Sequence, residues 1–144
     1  MKTHLDFFFD EDKGITTCNY RVGDKIFIGK AYCHSDDSDF KAKITGESIS
    51  ERRAKIKHLK HELNCNLRPG LAALKQLYFS VNRSKSYNKT DYLAKALVRQ
   101  IKIKESEIDL LKDIIKDQED SLKDYIDEKE KLYQRLRKMR DKEN

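Results

Sequence analysis

The chain has 144 residues, of which 39% are charged and 38% hydrophobic, a balance too polar for one spherical core yet, with seven Tyr and six Phe, too apolar for full disorder. Net charge is +6, and its placement is uneven: residues 1–50 sum to −2, residues 51–100 to +9 and residues 101–144 to −1. Nowhere do about 18 apolar residues run together, which excludes a membrane-spanning helix.

Residues 1–45 read as strands. Leu5 to Phe9 is aromatic-rich, and Asp10 to Gly14 is a turn cluster. Ile15 to Val22 carries β-branched residues, Gly23-Asp24 is a second turn, and Ile26 to Cys33 continues the pattern. Short runs bounded by Gly and Asp predict an antiparallel meander of three strands. A short fourth strand is expected near Lys41 to Thr45, after the acidic loop His34 to Asp39.

A sheet this small needs a cover on its apolar face. Two short helices are expected to supply it. Ser48-Ile49-Ser50-Glu51 fits a capping box, and Ile49, Ile56, Leu59 and Leu63 form a helical stripe. Asn64 to Arg68 reads as a break, and Pro69 suits the first turn of a second helix carrying Leu71, Leu74, Leu77, Tyr78 and Val81. Asn82 to Lys89 reads as a loop.

From Thr90 onward no Gly or Pro occurs. Heptads counted from Ala94 place Ala94, Ile101, Ile108, Ile115, Leu122, Lys129 and Leu136 at a, and Leu97, Lys104, Leu111, Gln118, Tyr125, Leu132 and Met139 at d. Eleven of these fourteen are apolar, which predicts a long coiled-coil helix. A helix from Asp91 to Lys142 would extend about 78 Å. It would bury its seam against a second copy, or by folding back near Lys116 to Ser121; the first is favoured, giving a homo-oligomer of at least two chains. The fold class expected is therefore α+β: a small N-terminal antiparallel sheet, two short helices and a long C-terminal coiled-coil helix. The expected division is a ligand-binding domain over 1–89 and an oligomerisation segment over 90–144.

Catalytic and metal signatures are weak. His58, His61 and Cys65 sit at i, i+3 and i+7 of the first helix, but the spacing fits no finger pattern and no Cys-x-x-Cys exists. Surface histidines and a packed cysteine are the simpler reading. Cys33-His34 are neighbours on a strand and point to opposite faces, which does not suit a nucleophile and its base. The acidic loop lacks the glycine and closing glutamate of an EF-hand. No Gly-rich phosphate loop occurs. The three cysteines, odd in number and far apart, fit reduced thiols in a cytoplasm. No catalytic residue, metal or cofactor is expected, and the chain reads as a non-enzymatic binding protein.

The basic middle stands out. Arg52, Arg53, Lys55, Lys57, Arg68, Lys75, Arg83, Lys85, Lys89, Lys95 and Arg99 interleave with Tyr78, Phe79, Tyr87 and Tyr92. Arginine offers forked donors to phosphate, and aromatic faces stack on bases. For any single one of these residues, a solvated helix charge or a core ring is the simpler reading. The segregation of charge is what favours an anionic partner, because scattered solubilising charge includes acids.

Four segments occur in an order that resembles a known family: Phe9 to Cys18 as a first hairpin, Gly29 to His34 with its acidic loop, Glu51 to Lys57, and Leu77-Tyr78-Phe79-Ser80. The chain resembles the first-described family of Thoeris anti-defence proteins, phage proteins that act as nucleotide sponges. The resemblance implies an N-terminal antiparallel sheet with long C-terminal helices, and protomers joined into dimers or larger assemblies. It implies non-catalytic capture of a cyclic ADP-ribose isomer in the cytoplasm of the bacterial host, which blocks an anti-phage signal. The implied site uses Arg53 on phosphate, Tyr78 or the adjacent Phe79 as the stacking ring, and Asn88 for polar contacts. Arg83 and Arg99 of the basic segment join these as candidates. The arginines of a second, cyclic oligonucleotide site are not evident around Glu105 to Asp113. Two other readings stay open: a nucleic-acid-binding accessory protein, or a structural coiled-coil phage protein.

Overall fold

The computed structural model describes residues 2–32, 40–83 and 88–143. Strands β1 (Thr3–Asp10), β2 (Ile15–Val22) and β3 (Lys25–Tyr32) form an antiparallel meander in the order β1-β2-β3. Both turns use glycine where the chain turns left-handed: Gly14 and Gly23 each have φ of 63°. Asp10 Oδ1 accepts backbone N–H bonds from Asp12 at 3.1 Å and Lys13 at 3.3 Å, fixing the first turn. The register sets Phe7 opposite Cys18 and Cys18 opposite Gly29, so these three share one face of the sheet.

Helix α1 (Phe40–His61) follows. Lys41 to Thr45, expected as a fourth strand, belongs to this helix, and Ser48 to Glu51 lies inside it rather than at its start. Burial at Thr45, Ser50 and Ala54 recurs with helical spacing, so packing overrides the local capping signal. The acidic segment His34 to Asp39 and Cys33 lie outside the described residues.

Asn64 to Arg68 does not break the helix. Residues Glu62–Leu67 form a π-helical turn, in which the Arg68 backbone N–H donates to the Leu63 carbonyl, five residues back. Pro69 explains it, because proline has no N–H to continue the α pattern and its ring crowds the preceding carbonyls. Helix α2 (Arg68–Arg83) continues, and α3 (Asn88–Glu143) is a single helix of 56 residues. Of the expected loop, Asn82 and Arg83 close α2 and Asn88 already opens α3; residues 84–87 lie outside the described set.

The chain packs as two compact units, residues 1–58 with 116–144, and residues 59–115. In the first, α1 lies on the face of the sheet that carries Thr16, Cys18 and Ala31, all at most 2% exposed. It approaches through the small residues Ser50 and Ala54, both fully buried. A Cβ at Gly29 would collide with the Ser50 carbonyl oxygen and stand 2.6 Å from the Ala54 nitrogen. Only glycine admits the helix this closely. His58 packs its ring on Phe27 and Tyr20, at centroid distances of 5.0 and 5.7 Å. On α3, Tyr133 hydrogen-bonds Thr45 at 2.8 Å and Tyr125 lies 4.6 Å beneath the Arg52 guanidinium.

In the second unit, Ile108 and Ile115 of α3 bury against Leu63 of the π turn, flanked by Leu59, Leu67, Leu71 and Leu111. The predicted seam is therefore occupied inside the chain in this stretch, by the helices that precede α3. Leu97, Ile108, Ile115 and Leu122 are buried, whereas the expected seam residues Gln118, Leu132, Leu136 and Met139 are exposed. Burial stays on the seam at Tyr125 and Lys129; further along, a straight helix of 3.6 residues per turn drifts off a seven-residue repeat, and burial passes from Leu132 and Leu136 to Tyr133 and Arg137, which are half-buried.

Candidate functional site

Tyr78, Phe79, Arg83, Asn88 and Arg99 fall in the unit of residues 59–115, and Arg53 falls in the other. On α2, Tyr78 is half-buried and Phe79 is 64% exposed. Their rings meet edge to face with centroids 6.3 Å apart, which leaves the Phe79 ring presented to solvent. Arg83 lies one turn further on and is exposed, as is Arg99 of α3. Tyr92, on the first turn of α3, is 79% exposed. Exposed rings and guanidinium groups on two adjoining helices are the groups that stack on a base and bind phosphate. Nearby acids answer part of the charge: Lys75 lies 3.8 Å from Glu105, and Lys95 lies 3.5 Å from Asp91. The backbone of Asn88 opens α3, and its side chain lies outside the described set.

Arg53 has a structural contact that the sequence did not announce. Its Nη1 donates to the Lys30 carbonyl at 2.6 Å, and Lys57, one turn along α1, donates Nζ to the Ile28 carbonyl at 2.6 Å. Both carbonyls point away from β2, so α1 covers the hydrogen-bonding edge of β3 with two cations. A guanidinium carries five N–H donors, so this bond uses only part of the Arg53 fork. The signal that could have revealed this pair is their i, i+4 spacing on a helix that follows an edge strand.

A groove in the unit formed by residues 1–58 and 116–144 has a volume of about 530 Å³ and is lined by Arg52, Tyr125, Asp117, Asp120, Asp124 and Glu128 together with Ser121. Four carboxylates against one guanidinium make it hostile to phosphate. Arg52 belongs to the basic segment singled out from sequence, but none of Arg53, Tyr78, Phe79, Arg83, Asn88 and Arg99 lines this groove.

Among the described residues no cluster of three or more His, Cys, Asp or Glu is placed to hold a metal ion. Cys18 and Cys65 are free thiols, the first buried and the second exposed. Burial pushes the Cys18 thiol up from 9.0 to about 11; the Glu51 charge adds to this and the Lys55 charge opposes it. The native state thus favours the neutral thiol. Its contribution is complete below pH 9.0 and fades as pH climbs toward about 11. Alkylation at neutral pH followed by peptide mapping should mark Cys65 rapidly and Cys18 only after unfolding. Equal labelling of the two would show that α1 does not seal this face of the sheet.

Comparisons with protein-family models, with curated proteins and with solved structures gave no match.

Proposed function

We propose that this is a non-enzymatic binding protein that sequesters a phosphorylated nucleotide of the cyclic ADP-ribose class, and so suppresses an anti-phage signal in a bacterial cell. The observation that carries the reading is the solvent-presented Phe79 ring, which meets Tyr78 edge to face, in the same compact unit as the exposed Arg83 and Arg99 and in the one third of the chain that holds the excess positive charge. The ring stacks on the base, and the arginines neutralise the diphosphate. The family resemblance drawn from the sequence adds Asn88 in the same unit, and implies a phosphate contact for Arg53, which belongs to the other unit.

Titration with cyclic ADP-ribose isomers, followed by thermal melting, should raise Tm progressively with ligand concentration. Phe79→Ala or Arg99→Glu should weaken binding by about tenfold or more, with little change in the Tm of the free protein. Ligand released by denaturation should be chemically unaltered; a cleaved product would overturn sequestration.

A second reading is favoured by the exposure of Phe79 and Tyr92, which suits a platform for single-stranded nucleic acid. Salt separates the two. Polynucleotide affinity falls steeply and linearly on a double-logarithmic plot, whereas a small ligand with two phosphates shows a shallow slope.

A further inference from the structure

The two edges of the sheet are treated differently by the fold. On β3 the outward carbonyls of Ile28 and Lys30 are taken by Lys57 and Arg53. On β1 the even-numbered residues face β2, as the bond from the Gly23 N–H to the Lys2 carbonyl shows at 3.3 Å. The backbone groups of Thr3, Leu5, Phe7 and Phe9 therefore point outward. This open edge carries no lysine, proline or bulge of the kind that guards edge strands. Its aromatic side chains are also uncovered: Phe7 is 36%, Phe8 57% and Phe9 43% exposed.

We propose that β1 pairs antiparallel with β1 of a second copy, joining two three-stranded sheets into one continuous six-stranded sheet. The register can be derived. Outward backbone groups belong to odd-numbered residues, so odd must face odd across the two-fold axis. A crossing point at position 6 sets Asp6 against Asp6 of the other copy, and one at position 8 sets Asp6 against Asp10; like charges directly opposite are destabilising. A crossing point at position 5 leaves Phe9 without a partner. The crossing at Phe7 avoids all three faults. It places Phe7 against its own symmetry mate, Leu5 against Phe9, and, on the other face, Phe8 against Asp6 and His4 against Asp10. The last sets an imidazole against a carboxylate, a hydrogen-bonding pair of the kind His4 already makes with Asp6 of its own strand at 3.0 Å. The strand is thus self-complementary about Phe7, which commits the occupant of this edge to a second copy rather than an unrelated peptide.

Sedimentation of the full chain at micromolar concentration should show a dimer. Phe7→Lys, which sets two ammonium groups against each other at the axis, should weaken it by about a hundredfold while far-UV circular dichroism is retained. Amide exchange gives a readout that does not depend on that variant. The N–H groups of Leu5, Phe7 and Phe9 should be protected in the dimer and lose protection on dilution, while those of Asp6 and Phe8, bonded to β2, stay protected throughout. A monomer at high concentration overturns the proposal. So does a dimer in which the Leu5, Phe7 and Phe9 amides exchange freely, since that dimer would be joined elsewhere.

Discussion

Gly29→Ala is expected to destabilise the unit of residues 1–58 and 116–144 by upward of about 3 kcal/mol. The added methyl would overlap the Ser50 carbonyl oxygen and press on the Ala54 nitrogen and the Arg53 Cβ at 3.1 Å. All three belong to α1, so relief requires the helix to lift off the sheet, which would also withdraw Arg53 and Lys57 from the β3 edge. Gly70→Ala supplies the control. The same methyl there meets only the Lys104 side chain, at 3.8 Å, in a helix, and should stabilise by about 0.5–1 kcal/mol, since alanine is the better helix former. Urea unfolding of both variants checks the pair: a mild effect at Gly29 would mean that α1 does not lie where it is described.

The second large effect is expected at the π turn. Leu63 is 6% exposed and packs with Ile108 and Ile115, each also 6% exposed. Leu63→Ala should cost about 2–5 kcal/mol through lost burial and the cavity left behind. The informative measurement is its concentration dependence. Because this seam is filled within one chain, the loss of Tm should be the same at low and high protein concentration. A seam between chains would give a deficit that shrinks as concentration rises.

The strands and their turns were legible because Gly14, Gly23 and Asp10 carry their conformational preferences locally. The long helix was legible because nothing in it forces a stop and its apolar spacing persists. The partner of that helix was not. A heptad pattern states that a seam is buried and leaves open against what; Leu59, Leu63 and Leu71 read as cover for the sheet and Leu67 as part of a break, when all four serve the seam. The join at Asn64 to Arg68 was misread as a break because proline usually ends a helix, and a π turn absorbs it here. The contact face of α1 was invisible for a different reason: Ser50 and Ala54 are small, and small residues leave no mark in a hydrophobic pattern. At the candidate site Phe79 is exposed and Tyr78 half-buried, a difference between two adjacent rings that sequence treated as alternatives.

The cations on the β3 edge bear on how large an assembly can grow. On the proposed β1 pairing, a sheet with one receptive border and one blocked border adds a single neighbour and then has nothing left to offer, so association would terminate at a closed pair. Removing both donors, as in Arg53→Ala with Lys57→Ala, would leave the Ile28 and Lys30 carbonyls bare and make the chain joinable on either side. Head-to-tail stacking without limit, seen as fibres or turbidity, is the outcome that α1 holds off.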